Sequence, residues 1–137
     1  MIKRWTGLLL LFVVLFSCEP DQKDDLEGKW QLLEVTAQDG TVTKVDTVWY
    51  NIQNTLFMYQ YYDAADEVKP YRYIYGYKSW KSEKVMAIEL ENYPVEINEF
   101  LPKTDWTSGN RLFEVVSVSG NKLILESEEK QYLFRKF

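Results

Sequence analysis

The chain reads as an all-β protein, an antiparallel up-and-down β-barrel of about eight strands, with a β-sandwich of two sheets as the alternative. Three observations lead there. Short runs rich in β-branched and aromatic residues recur from Leu26 onward, the composition that suits a pleated, half-buried surface. Several runs alternate with period two: in Val85–Glu91, Met86, Ile88 and Leu90 share one face while Glu89 and Glu91 share the other. The connections are short, and no helical stripe is long enough to carry a parallel crossover. Closing such a meander into a barrel hides both of its edges.

Residues 1–17 come first and read as a signal peptide. Lys3 and Arg4 give it a positive start, and an apolar stretch runs from Gly7 to Phe16. That stretch is too short for the roughly 20 residues a membrane-spanning helix needs. Leu15-Phe16-Ser17-Cys18 resembles the lipobox cut by signal peptidase II, with Phe16 where a small or aliphatic residue is more usual. A general-secretion peptide cleaved nearby is the alternative. Cys18 is the only cysteine, and lipidation leaves no unpaired thiol to explain in an exported chain. The acyl chains would anchor the protein stably in a membrane, each buried CH₂ contributing about 0.8 kcal/mol. Residues 18–26 are then the lipidated cysteine and an acidic linker. Gln22-Lys23-Asp24-Asp25 within it resembles the acidic export signal of some Bacteroidetes lipoproteins, an ordinary solvated tether being the alternative. The expected location is the bacterial outer membrane, at its periplasmic face or at the cell surface.

The barrel domain occupies residues 27–137. Its expected strands are Lys29–Thr36, Thr41–Ile52, Thr55–Tyr62, Tyr71–Lys78, Lys84–Glu91, Arg111–Val118, Lys122–Glu126 and Gln131–Phe137. Asp39-Gly40 predicts a type I′ hairpin turn, in which both central residues take positive φ. Ser119-Gly120-Asn121 predicts a second turn. Pro94 and Pro102 bracket Val95–Leu101, a short helix or an edge strand.

Composition narrows the function. Removal of residues 1–17 leaves 120 residues, with 14 basic against 21 acidic side chains, a formal −7. Such a chain repels phosphate backbones, so nucleic acid is excluded as a partner. There is no histidine, which removes the commonest general base and metal ligand together. With Cys18 lipidated, no Cys/His metal site and no serine triad can form. No metal and no cofactor are expected. The acidic pairs Glu89/Glu91 and Glu128/Glu129 read as a solvated strand face and a charged turn rather than a glycosidase pair. No catalytic residue emerges, and the protein is expected not to be an enzyme.

Gly28-Lys29-Trp30, opening the first strand, looks like the Gly-x-Trp motif of the lipocalins. Thr104-Asp105-Trp106 is similar to that family's second motif, Thr-Asp-Tyr in a late loop, and Arg135 matches the arginine that lies over the first-strand tryptophan. Together with the lipobox, the chain resembles the small lipocalin-like lipoproteins of Bacteroidetes. The resemblance implies a barrel with Trp30 plugging its closed end. The chain is short for a classical lipocalin and lacks the helix that normally follows the barrel.

Aromatic residues supply the candidate site. Tyr71, Tyr73, Tyr75 and Tyr77 alternate along one strand and so share a face. The other face, Arg72, Ile74, Gly76 and Lys78, is more polar, which predicts that the tyrosine face is the inner one. Phe57, Tyr59 and Tyr61 form a second alternating set, with Trp49 and Trp80 nearby. Trp49, Tyr59, Tyr61, Tyr71, Tyr73, Tyr75 and Tyr77 are the candidate ligand-binding residues. Tyrosine offers a flat apolar body with a polar tip, suited to a small hydrophobic or amphipathic molecule or a glycan. Plain core packing and an exposed protein-binding face are the other readings. Function then divides between a ligand-binding barrel and a non-enzymatic interaction module, such as an inhibitor or accessory subunit of an envelope complex.

Overall fold

A computed structural model describes residues 25–137; the signal-like segment, Cys18 and the tether as far as residue 24 lie outside the described residues. Nine strands form one sheet: β1 (Gly28–Thr36), β2 (Val42–Lys44), β3 (Val48–Ile52), β4 (Leu56–Tyr62), β5 (Tyr71–Trp80), β6 (Val85–Leu90), β7 (Asn110–Ser119), β8 (Lys122–Ser127) and β9 (Lys130–Lys136). Each pairs antiparallel with its neighbours, and β1 pairs with β9 from Trp30↔Lys136 to Thr36↔Gln131, which closes the sheet into a barrel. Closure rules out the sandwich.

The expected strand Thr41–Ile52 is split. Both pieces pair with the same side of β1, β2 along Glu34–Thr36 and β3 along Gly28–Gln31, so together they make one stave of an eight-stave barrel. The break at Val45–Thr47 is held from outside: the Gln31 amide donates to the Asp46 carbonyl at 2.9 Å. The turn before β2 also differs from expectation. Among its residues only Gly40 has positive φ (89°), with Gly40 N–H bonded to Ala37 O and Ala37 N–H to Thr41 O. That is a longer loop closed by a left-handed glycine, and the Asp39 carboxylate accepts the Thr41 N–H instead of occupying a type I′ position.

Between β6 and β7, Val95–Leu101 resolves as the helical alternative: α1 (Ile97–Phe100) followed by a 3-10 turn over Leu101–Lys103. Asn92 accepts the otherwise orphaned Ile97 N–H at 2.9 Å. This long loop lies at the end of the barrel opposite the start of β1. It turns Phe100 and Trp106 inward, and both are buried.

The interior is aromatic and filled. Around the Tyr50 ring stand Phe134 at 4.9 Å, Phe57 and Tyr59 at 5.1 Å and Phe113 at 5.8 Å. Trp106 stacks on Phe57 at 5.9 Å and donates its indole N–H to the Tyr50 hydroxyl at 3.0 Å. Phe100 closes over Tyr59 and Tyr61. At the other end Trp30 is fully buried, and its indole N–H donates to the Leu26 carbonyl at 2.8 Å.

Candidate functional site

Strand register decides which aromatics face where, and it reverses one expectation. Tyr71, Tyr73, Tyr75 and Tyr77 lie on the outer wall, 40–54% exposed, while Ile74, Gly76 and Lys78 of the same strand are buried. The reason is volume. Paired with β4, Tyr71 stands opposite Tyr62, Tyr73 opposite Gln60 and Tyr75 opposite Met58, so the two alternating sets occupy opposite faces. The inner side is taken by Phe57, Tyr59 and Tyr61, and across from them there is room only for small or slender side chains. At Gly76 even a Cβ would sit 2.6 Å from the Glu89 carbonyl oxygen. On the outside the four tyrosines are partly exposed, which removes the need for four buried hydrogen-bond partners.

The candidate residues therefore separate into two groups. Tyr59 and Tyr61 belong to the core. Trp49 and the four β5 tyrosines line the outer wall, where Trp49 lies 6.3 Å from Tyr71 and 6.1 Å from Phe137, with the Lys29 ammonium over its ring at 5.8 Å. Tyr73 packs edge-on against Tyr75 at 5.6 Å, and Tyr75 stacks on Tyr93 at 5.9 Å. Tyr62 extends the row beyond Tyr71 at 5.0 Å. The outcome is a continuous aromatic surface on β4 and β5.

Beside it, an open groove of about 590 Å³ runs over the outside of β5, β6 and β7. Tyr77, Ala87 and Leu112 give it an apolar floor, and Ser79, Glu89, Asn110 and Glu128 supply polar groups along it, with Lys81 also in its wall. A second, smaller hollow of about 240 Å³ lies between Leu56, Met58 and Tyr75.

The motif residues are also in place, with one exchange. Gly28 opens β1 with φ +141°, a region L-residues rarely adopt. Over the Trp30 ring lies the Lys136 ammonium at 5.3 Å, not Arg135. The register explains it: Lys136 is the cross-strand partner of Trp30, whereas Arg135 is paired with Gln31 and points outward, where its Nε donates to the Gln31 side chain at 2.9 Å. Thr104 accepts the Trp106 N–H through its hydroxyl and caps the 3-10 turn by donating to Leu101 O. Asp105 accepts the Tyr132 hydroxyl proton and stands 3.4 Å from Arg111.

Arg111 is the residue that sequence reasoning missed. Its side chain is 2% exposed, and its guanidinium lies among the rings of Phe113 and Tyr132 at 5.1 Å and Trp106 at 5.5 Å. It donates to Ser127 Oγ at 2.9 Å and to the Tyr132 hydroxyl, with Glu128 at 3.5 Å. The signal was available: an arginine two positions before Phe113 and four before Val115 shares their inward face. This network ties β7, the β6–β7 loop and the β8–β9 turn together at the end of the barrel opposite Trp30. Burial pushes the Tyr50, Tyr59 and Tyr132 hydroxyls well above the ordinary tyrosine pKa. Among the described residues, no group of three or more His, Cys, Asp or Glu side chains could hold a metal ion, and no helix is long and apolar enough to cross a membrane.

Comparison with known proteins places this architecture. No curated protein matches the chain. The crystal structure of a lipocalin-like protein from Bacteroides uniformis is similar at 33% identity, over 82% of this chain and 99% of that one, with a TM-score of 0.71. That of an uncharacterized protein from Bacteroides eggerthii is similar at 28% identity, over 81% and 98% of the two chains, with a TM-score of 0.66. The family model of the lipocalin-like domain matches residues 11–137, and the chain belongs to that family.

Proposed function

We propose that this protein is a lipid-anchored, non-catalytic interaction module of the bacterial envelope, which docks a partner protein on the outer wall formed by β4 and β5. One observation carries this reading: the aromatic row Tyr71, Tyr73, Tyr75 and Tyr77 faces solvent, next to the exposed Leu56, Tyr62 and Tyr93. A contiguous aromatic surface poor in charge is the signature of a protein-binding patch, since tyrosine supplies large contact area with few torsions to immobilise. The lipocalin-like barrel is a fold able to hold a hydrophobic ligand, but here the rings around Tyr50 and the inward Phe100 and Trp106 occupy its interior, which favours the outer wall. In this reading Cys18 carries the lipid and the acidic tether spaces the barrel from the outer membrane.

The test is photo-crosslinking in cells producing the full chain, with a benzophenone side chain at Tyr75 or, as a control on the far wall, at Lys122. A discrete protein adduct from position 75 and none from 122 is the expected result. No adduct from either position overturns the reading. The anchor is tested separately: Cys18→Ser is expected to move the protein from the membrane to the soluble fraction without altering its thermal unfolding, and continued membrane attachment refutes lipidation.

A second reading has its own observation. The groove beside Tyr77, at about 590 Å³, falls within the roughly 300–1,000 Å³ of small-molecule sites and would take a small amphipathic ligand on the outside of the barrel. Native mass spectrometry of the full chain separates the two. A stoichiometric small-molecule adduct that disappears in Tyr77→Ala favours the ligand.

A further inference from the structure

The charges of the outer wall are sorted in a way that neither barrel packing nor solubility requires. On β5 and β7 the three cations, Arg72, Lys78 and Arg111, occupy inward positions, and β6 carries none. The outward positions of these strands hold the tyrosine row, Glu89 and Glu114, with no lysine or arginine among them. Glu114 is the direct cross-strand partner of Glu126 on β8, and like charges directly opposite one another destabilise a sheet. Among the described residues Glu89, Glu114 and Glu126 are exposed and form no ion pair. The wall therefore combines carboxylates lacking counter-charges with aromatic faces whose quadrupole attracts a cation.

We infer that the partner of this wall is a basic segment of another protein, whose arginine or lysine side chains lie over the β5 tyrosines and meet Glu89 and Glu114. This rests on the docking reading above and gives the partner its chemistry. Charge complementarity selects the occupant. A second copy of this acidic chain would bring carboxylates against carboxylates, and a phosphate-bearing surface would be repelled in the same way. A neutral glycan would stack on the tyrosines but leave the Glu114–Glu126 repulsion in place. A guanidinium serves both features, stacking on the ring and pairing with the carboxylate. Lys81 lies at the far end of this stretch, its backbone N–H bonded to the Val85 carbonyl opposite Glu114, and leaves the tyrosines and Glu89 as the nearer cationic contact.

The test uses the full chain in uncharged detergent micelles, with fluorescently labelled hexaarginine and hexaglutamine as probes and anisotropy as the readout. Hexaarginine is expected to bind and hexaglutamine not to. The affinity should fall about tenfold or more in Glu89→Gln/Glu114→Gln, and again at about 1 M salt, where the Debye length is roughly 3 Å. A control with the same change in net charge, Glu27→Gln/Glu34→Gln on the β1 side, should bind like the parent. Equal loss in both double variants means attraction to net charge alone and overturns the inference. Hexaglutamine binding as well as hexaarginine, or no hexaarginine binding, also overturns it. A crosslink from position 75 with no arginine preference would sink this inference and leave the docking reading standing, whereas absence of both would remove both.

Discussion

Two tryptophans hold the ends of the barrel, Trp30 at the start of β1 and Trp106 in the β6–β7 loop, and both stand in motifs the sequence displays. Trp30 follows a glycine at the start of a strand, and both its burial and its place at the barrel end were legible in that triplet. Trp30→Ala is expected to destabilise the fold by about 3–5 kcal/mol, checked by urea unfolding; an unchanged midpoint would refute the plug. The cation above it was misplaced by a single residue, because nothing in the sequence reveals whether the first strand pairs with residue 135 or 136 of the last. A slip of one residue exchanges the two faces completely. Arg111 escaped notice for a related reason: a buried arginine looks like a strand-end charge until Asp105, Ser127 and Tyr132 are gathered around it from three distant segments.

Elements were legible to within a few residues, but their orientation was not. The strand Tyr71–Trp80 has its alternation written in the sequence, yet the decision about which face turns inward depends on β4, whose Phe57, Tyr59 and Tyr61 compete for the same interior. Gly76 is the local trace of that competition. Gly76→Ala is expected to cost about 1–3 kcal/mol by forcing β6 away from β5, measured by thermal or urea unfolding. The β8–β9 turn shows the opposite situation. Glu128 and Glu129 have φ of 52° and 65°, the left-handed conformation that costs an L-residue about 1–2 kcal/mol. Glu128 has a compensation, its carboxylate lying 3.5 Å from Arg111, whereas Glu129 makes no ion pair among the described residues. Glu129→Gly is thus expected to stabilise the protein by about 0.5–1 kcal/mol after allowance for the more flexible unfolded glycine. A fall in unfolding midpoint would contradict this.

For the molecule as a whole, the interior chemistry sets a limit in alkaline solution. The buried Tyr50, Tyr59 and Tyr132 are held protonated in the folded state well above the ordinary value of 10.0, mainly by desolvation. A raised folded pKa means that their contribution is complete below pH 10 and drains away as pH rises beyond it. Each loses about 1.4 kcal/mol per pH unit while the unfolded chain ionises and the native one does not. Stability should therefore fall steeply above pH 10, and tyrosinate absorbance should rise in step with loss of the fold; ionisation of all ten tyrosines with the fold intact would contradict it. The join between β1 and β9 sets a different kind of limit, one of timing. Trp30 meets Tyr50 of β3 on one side, but on the other its cross-strand partner is Lys136 of β9, the strand last in order. A nascent or translocating chain consequently cannot seal the barrel until β9 has emerged, and until then β1 offers an open edge and an uncovered indole. Closure of the longest loop comes last and carries the largest entropic cost. Loss of β9 would thus act at birth, as a chain waiting for a partner strand that never arrives.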